Sequence, residues 1–180
     1  MSGTRRAVTV AVGIGALLVA KAPVAGQTAQ ERMRVGTYDS RAIAVAYANS
    51  GQHRQEIAKL MKDLEQAKAA RDEKRTKELE AQGLARQARL HQQGFSTGSV
   101  INIMDKIRPA LAAVAKEAGV VLIVSKWEAV YADPSIEYVD VTMPLVMKFN
   151  PNAQTLRWIE SMKGKDPIPL EELPLDDREY

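Results

Sequence analysis

The sequence predicts an α+β fold in which a small β-sheet body carries a long, coiled-coil-like α-helical hairpin and a C-terminal helix. Three observations predict it. Arg41 to Gln93 is dominated by Ala, Glu, Gln, Lys and Arg, the composition of exposed helix. Val120-Val121-Leu122-Ile123-Val124-Ser125 is an apolar, β-branched run too short for a helix of its own, which reads as a central buried strand. Arg34 to Ser40 alternates Val35 and Thr37 with Gly36 and Tyr38, which reads as a first strand over 34–40.

Before the first strand, Arg5 and Arg6 precede an uncharged run from Ala7 to Ala20, closed by Lys21 and the small residues Val24-Ala25-Gly26. A basic start, a short apolar middle and a small-residue exit are the layout of a secretory signal over 1–26, with the mature chain beginning at Gln27. A spanning helix needs about 20 apolar residues, so cleavage is favoured over anchoring. No cysteine occurs anywhere in the chain, which excludes lipoprotein attachment, disulfides and thiolate nucleophiles. The formal net charge of +3 falls to zero once residues 1–26, with Arg5, Arg6, Lys21 and no acid, are removed. Charge is uneven in what remains, with ten Lys/Arg against seven Asp/Glu over Arg54 to Arg89 and three against seven over Glu160 to Tyr180. A mature chain of about 150 residues holds one ordinary core.

Within the helical stretch, Ile57, Leu60, Leu64 and Ala67 fall three, four and three apart and form one seam. Between Lys68 and Lys77 only Ala69 and Ala70 are apolar, so nothing packs there; the segment suits a solvated hairpin tip, with one continuous exposed helix as the alternative. Leu79, Leu84 and Ala88 restore a sparse seam, and the turn-prone His91 to Ser99 interrupts it. Ile101, Met104, Ile107, Leu111, Val114 and Ala118 mark a buried helical face, so the whole arm is read as spanning about 43–118. Pro109 bends this run or starts a new segment near Arg108, and Gly119 stops it. The strand at 120–125 is followed by Trp127 to Tyr131, read as its hairpin partner over 127–132, and by the turn Asp133-Pro134-Ser135. Thr142 is placed to cap a helix whose first turn tolerates Pro144. Residues 150–180 carry four prolines and an acidic finish; apart from a helical turn around Leu156 to Met162 they read as an extended tail.

The order of these elements resembles the Skp/OmpH-like family of periplasmic outer-membrane-protein chaperones, over about Met33 to Phe149. The resemblance rests on the strand Val35 to Asp39, the charged hairpin, Ile107 to Gly119 leading into Val120 to Ser125, Ala129-Val130-Tyr131, and Asp140-Val141-Thr142 before a closing apolar helix. It implies a periplasmic, ATP-independent holdase that needs no cofactor, and a homotrimer whose subunits join short strands into a common body around which the arms enclose unfolded outer-membrane clients. This arm is shorter than the family's, about 45 Å for about 30 residues per helix, and the neutral mature chain and acidic tail also depart from the family pattern.

Sparse apolar residues Leu60, Leu64, Leu79 and Leu84 would offer weak multiple contacts to a client. Lys59, Lys62, Lys68, Arg71, Lys74 and Arg75 would attract acidic clients or membrane headgroups. Val35, Leu122, Ile123, Val124, Val130 and Tyr131 would form the body and oligomer core. Catalysis is not expected, since His53 and His91 lie far apart without a metal motif, and Ser125 and Lys126 would point to opposite strand faces. Nucleic-acid binding is not expected of a neutral exported chain. The alternative function is a non-catalytic envelope scaffold using arm and tail to hold one fixed partner.

Overall fold

A computed structural model of the chain describes residues 32–173. The expected signal over 1–26 and the last residues of the tail lie outside them. The fold is mixed helix and sheet, with a small three-stranded sheet of order β2-β1-β3, in which β1 is Arg34–Tyr38, β2 is Leu122–Ser125 and β3 is Glu137–Asp140. Both pairings are parallel, Val35 facing Leu122 on one side and Tyr138 on the other.

This corrects the expected sheet in three ways. The middle strand is β1, because the apolar run 120–125 supplies an edge: Val121 and Leu122 are 74% and 53% exposed. The expected strand over 127–132 is not a strand, and Val130 is 100% exposed. The third strand is instead β3, which pairs with β1 rather than with 120–125 and runs parallel to it. Gly36 fits the middle position because a Cβ there would lie 3.1 Å from Val120 Cγ2 and 3.2 Å from Val141 Cγ2, so its absence lets these side chains close over the strand.

Strand β1 ends at Tyr38 rather than at Ser40 because Asp39 turns the chain into helix α1, Ser40–Ala48, its carboxylate accepting the Arg41 amide at 3.0 Å. The helical stretch expected from Arg41, with Gly51 as its one early breaker, is interrupted just before that glycine, at Asn49 and Ser50. The Asn49 side chain donates back to the Val45 carbonyl, and the Ser50 hydroxyl accepts the His53 amide at 3.1 Å, capping helix α2, Gly51–Ala69. Helix α1 is buried, with Ile43, Ala44 and Ala46 in the main core, so it belongs to the body and not to an exposed arm.

The hairpin proper is α2 and α3, Glu73–Phe95, together about 28 and about 34 Å long rather than about 45 Å. Its turn lies inside 68–77. The Arg71 amide donates to Lys68 and the Asp72 amide to Ala67, the paired bonds of a left-handed helix stop, and Asp72 then caps α3 through the Arg75 amide. Arg71 takes φ 53°, a conformation that costs a residue with a Cβ about 1–2 kcal/mol. Arg71→Gly is therefore expected to raise stability by about 1 kcal/mol, read as a higher thermal midpoint.

After the hairpin, α4 is Ile101–Met104, a 3-10 turn covers Asp105–Ile107, and α5, Arg108–Ala118, starts with Pro109 in its first turn. Gly119 stops α5 at φ 64°, and a Cβ there would meet Arg34 Nη1 at 2.6 Å. Thr142 opens α6, Thr142–Val146, but does not cap it: the Asp140 carboxylate accepts the Thr142 amide, while the Thr142 hydroxyl accepts the Asp39 amide. The helical turn expected around Leu156 to Met162 is a longer helix, and that part of the tail is packed rather than extended. Asn152 caps α7, Ala153–Met162, and Ile159 and Thr155 are buried, Ile159 in the main core.

These helices cover only one face of the sheet. Ile123, Val139 and Tyr38 pack on the core, whereas Val35, Leu122, Val124 and Tyr138 line a cleft of about 310 Å³ on the other face. Residues 126–136, an irregular crossover, form the rest of that cleft. Parallel sheets are ordinarily covered on both faces, so a loop is a thin second layer.

Candidate functional site

The hairpin has its own small core, separate from that of the body: Leu60, Ala67 and Leu79, with Leu64 packed against them. The three-four spacing of the α2 seam aims these residues at α3, where even a Cβ added at Gly83 would make only an ordinary contact, 3.8 Å from Leu60 Cδ2. The seam is too sparse to close the hairpin on both sides. An apolar groove of about 600 Å³ remains, lined by Ile57, Met61, Leu64, Leu84 and Leu90 among others. Met61 is 56% and Leu84 68% exposed at its mouth.

Of the arm residues expected to meet a partner, the groove brings together Leu60, Leu64, Leu79 and Leu84. Leu60 and Leu79 are buried as its floor, so Leu84 is the accessible one; Met61, which the seam spacing did not select, is its counterpart on α2. Of the basic residues, Lys59, Lys62, Arg71 and Lys74 are exposed, Lys68 pairs with Glu80 at 2.9 Å and Arg75 with Glu78 at 3.3 Å.

Where the hairpin meets the body, one carboxylate gathers three donors. Glu56 Oε2 accepts the Tyr47 hydroxyl at 2.9 Å and the Arg86 guanidinium, and Oε1 accepts Lys106 Nζ at 2.6 Å. Burial pushes the Glu56 carboxyl up, but the Lys106 and Tyr47 hydrogen bonds outweigh it and hold the group below its ordinary range. His53 lies edge-on to Tyr47 at 4.9 Å with Nδ1 buried and unbonded; burial and the nearby Arg86 charge lower its pKa, so it packs as a neutral ring.

A second network sits at the carboxyl ends of the parallel strands. Asp39 binds the Arg41 guanidinium through both oxygens, at 3.1 and 2.8 Å, and Lys126 Nζ at 2.9 Å, with Trp127 Nε1 at 3.4 Å. Arg41 also donates to the Lys165 carbonyl at 2.8 Å, and the Arg41 and Lys126 charges lie over the Trp127 ring. Burial raises the Asp39 pKa, but the Arg41 and Lys126 hydrogen bonds and charges prevail and bring it down to about 2. Lys126 is thus committed to Asp39, and the Ser125 hydroxyl accepts the Trp127 amide. The arrangement fastens the sheet, the crossover and the C-terminal segment together. Nothing in the sequence signalled it, since its members come from distant segments.

Among the expected body residues, Val35 is buried, Ile123 and Val124 are half-buried, and Leu122, Val130 and Tyr131 stand on the surface of the single chain. They do not form one core within it. Leu122, Val124 and Tyr131 instead share the cleft on the open sheet face.

No protein-family model, curated protein or solved structure matches the chain. Among the described residues, no helix is long and apolar enough to cross a membrane.

Proposed function

We propose that the chain is an ATP-independent periplasmic holdase, and not an enzyme, that binds unfolded outer-membrane proteins along its hairpin. The observation that carries this is the open apolar groove, with Met61 and Leu84 exposed at its mouth on a hairpin stabilised independently of the main core. An unfolded barrel strand presents apolar side chains on one face and must be kept from pairing its edges. A shallow groove with a charged surround can hold such a segment weakly and reversibly, without a nucleotide. The resemblance to the Skp/OmpH-like chaperones and the signal-like residues 1–26 support the same reading and the periplasmic location. A homotrimer is part of the proposal, supported by a sheet face covered only by the 126–136 crossover and by the two open edges of a three-stranded sheet. The fixed-partner scaffold loses one of its supports, because residues 153–162 are packed on the body rather than free to bind.

The test is suppression of light scattering when a urea-denatured outer-membrane barrel protein is diluted into buffer. The parent chain should suppress aggregation, and Met61→Glu with Leu84→Glu should abolish suppression while the fold is retained, since both sites are already exposed and such changes usually stay within about 0.5 kcal/mol. Reversing Arg71, Lys74 and Arg75 to glutamate should leave the fold intact and reduce the salt dependence of acidic-client capture. Aggregation unaffected by the parent would overturn the holdase reading in favour of the scaffold.

A further inference from the structure

Four elements converge on Glu56. The residue lies on α2, Tyr47 is on α1, Arg86 is on α3, and Lys106 is in the 3-10 turn after α4. The two hairpin helices are attached to the body differently. Helix α3 runs into it: Leu90 packs on the main core, and the buried Gln93 side chain donates to the Ser99 carbonyl at 2.6 Å and to Asn102 Oδ1 at 2.7 Å. Helix α2 leaves the body at Ser50, and beyond the root its apolar contacts are the hairpin's own Leu60, Ala67 and Leu79 cluster.

We infer that Glu56 is the latch that sets the pose of the hairpin against the body, and that breaking its bonds lets the hairpin swing while both parts stay folded. The Glu56 side chain is only 24% exposed, and its partners Arg86 and Lys106 are 34% and 23% exposed, so the contacts are partly shielded from water. Removing its charge also leaves the cations of the root without their carboxylate. The adjoining cleft of about 140 Å³ is lined by Arg86, Arg89 and Lys106 with no acid among its lining residues. With Glu56 neutral, these cations repel one another across the joint between α3 and the body. The hairpin is then held by α3 and by the His53 ring against Tyr47.

The chain has no cysteine, so two introduced cysteines can carry spin labels without competing sites. Lys74→Cys marks the hairpin beyond its turn and Lys116→Cys marks α5; both side chains are exposed. Pulsed electron-resonance distances between them should be narrow in the parent. They should broaden and shift in Glu56→Gln, change less in Tyr47→Phe, which loses one donor, and stay as in the parent in Glu78→Gln, an exposed acid near the turn. Unchanged Trp127 and Trp158 fluorescence would show that the body remains folded. A parent-like distribution in folded Glu56→Gln overturns the latch; should that variant fail to fold, a parent-like distribution in both Tyr47→Phe and Lys106→Met overturns it instead. The readout involves no client, so it stands or falls apart from the holdase reading.

Discussion

Asp39→Ala is expected to destabilise the protein by about 3–5 kcal/mol, the range for breaking one partner out of a buried ion pair. Three losses coincide. The Arg41 side chain, 5% exposed, loses both of its carboxylate bonds and is left as a buried charge whose remaining acceptor is the Lys165 carbonyl. Lys126 loses its partner, and α1 loses its cap. The urea midpoint at neutral pH should fall accordingly. The pH dependence follows from the direction of the shift. Asp39 has its pKa depressed from 3.8 to about 2 in the folded protein, so its contribution is fully present above about pH 4 and is lost as pH falls towards 2. Asp39→Asn should flatten the stability profile in that window. An unaltered profile would place the acid sensitivity on other carboxylates.

Val130→Asp together with Tyr131→Asp is expected to convert the proposed homotrimer into a monomer. Both side chains are exposed in the single chain, so the fold itself should survive, whereas a buried aromatic at an interface commonly contributes about 2 kcal/mol or more. Three subunits would each carry the change, multiplying its effect on assembly. Sedimentation at micromolar concentration should show the parent near trimer mass and the variant near monomer mass. A parent that sediments as a monomer would remove the oligomeric part of the proposed function. Leu122, expected from sequence to anchor a buried strand, is half-exposed in the single chain, so its truncation opens no core cavity.

The hairpin was legible because its cues are local. The seam at Ile57, Leu60, Leu64 and Ala67 repeats at helical spacing, the turn falls where apolar residues vanish, and Pro109 and Gly119 punctuate α5 within a residue or two. The break at Ser50 was readable in part, since Gly51 stands out as a breaker, but the cap chemistry of Asn49-Ser50 is set between two segments of helix-forming composition that read as one stretch. Short apolar runs misled the sheet reading. Val120 to Ser125 and Ala129 to Tyr131 have strong β composition, yet the intervening Lys126 is drawn to Asp39 and takes the chain away from a hairpin. Strand β3 was missed because its alternation, Glu137, Tyr138, Val139 and Asp140, is half acidic and suits a strand with one face open. In α7 the helical turn read at Leu156 to Met162 fell short of the full helix, whose Thr155 and Ile159 stand one turn apart on the buried side. The two carboxylate networks depend on contacts that no local pattern encodes.

The parallel sheet also dictates the order in which the chain can acquire its structure. Strand β1 is the middle strand, yet its neighbours are β2 and β3, and the Asp39 amide finds its acceptor on Thr142, 103 positions later. During synthesis or translocation from the N-terminus, α2 and α3 can pair as soon as both have emerged, because their contacts are close in sequence. The body cannot close until the residues of β3 and α6 are out, and contacts of such long range form slowly. In the interval β1 has both edges unpaired beside a finished hairpin. The nascent chain thus has both helices of its hairpin in hand before either sheet partner of β1 has emerged.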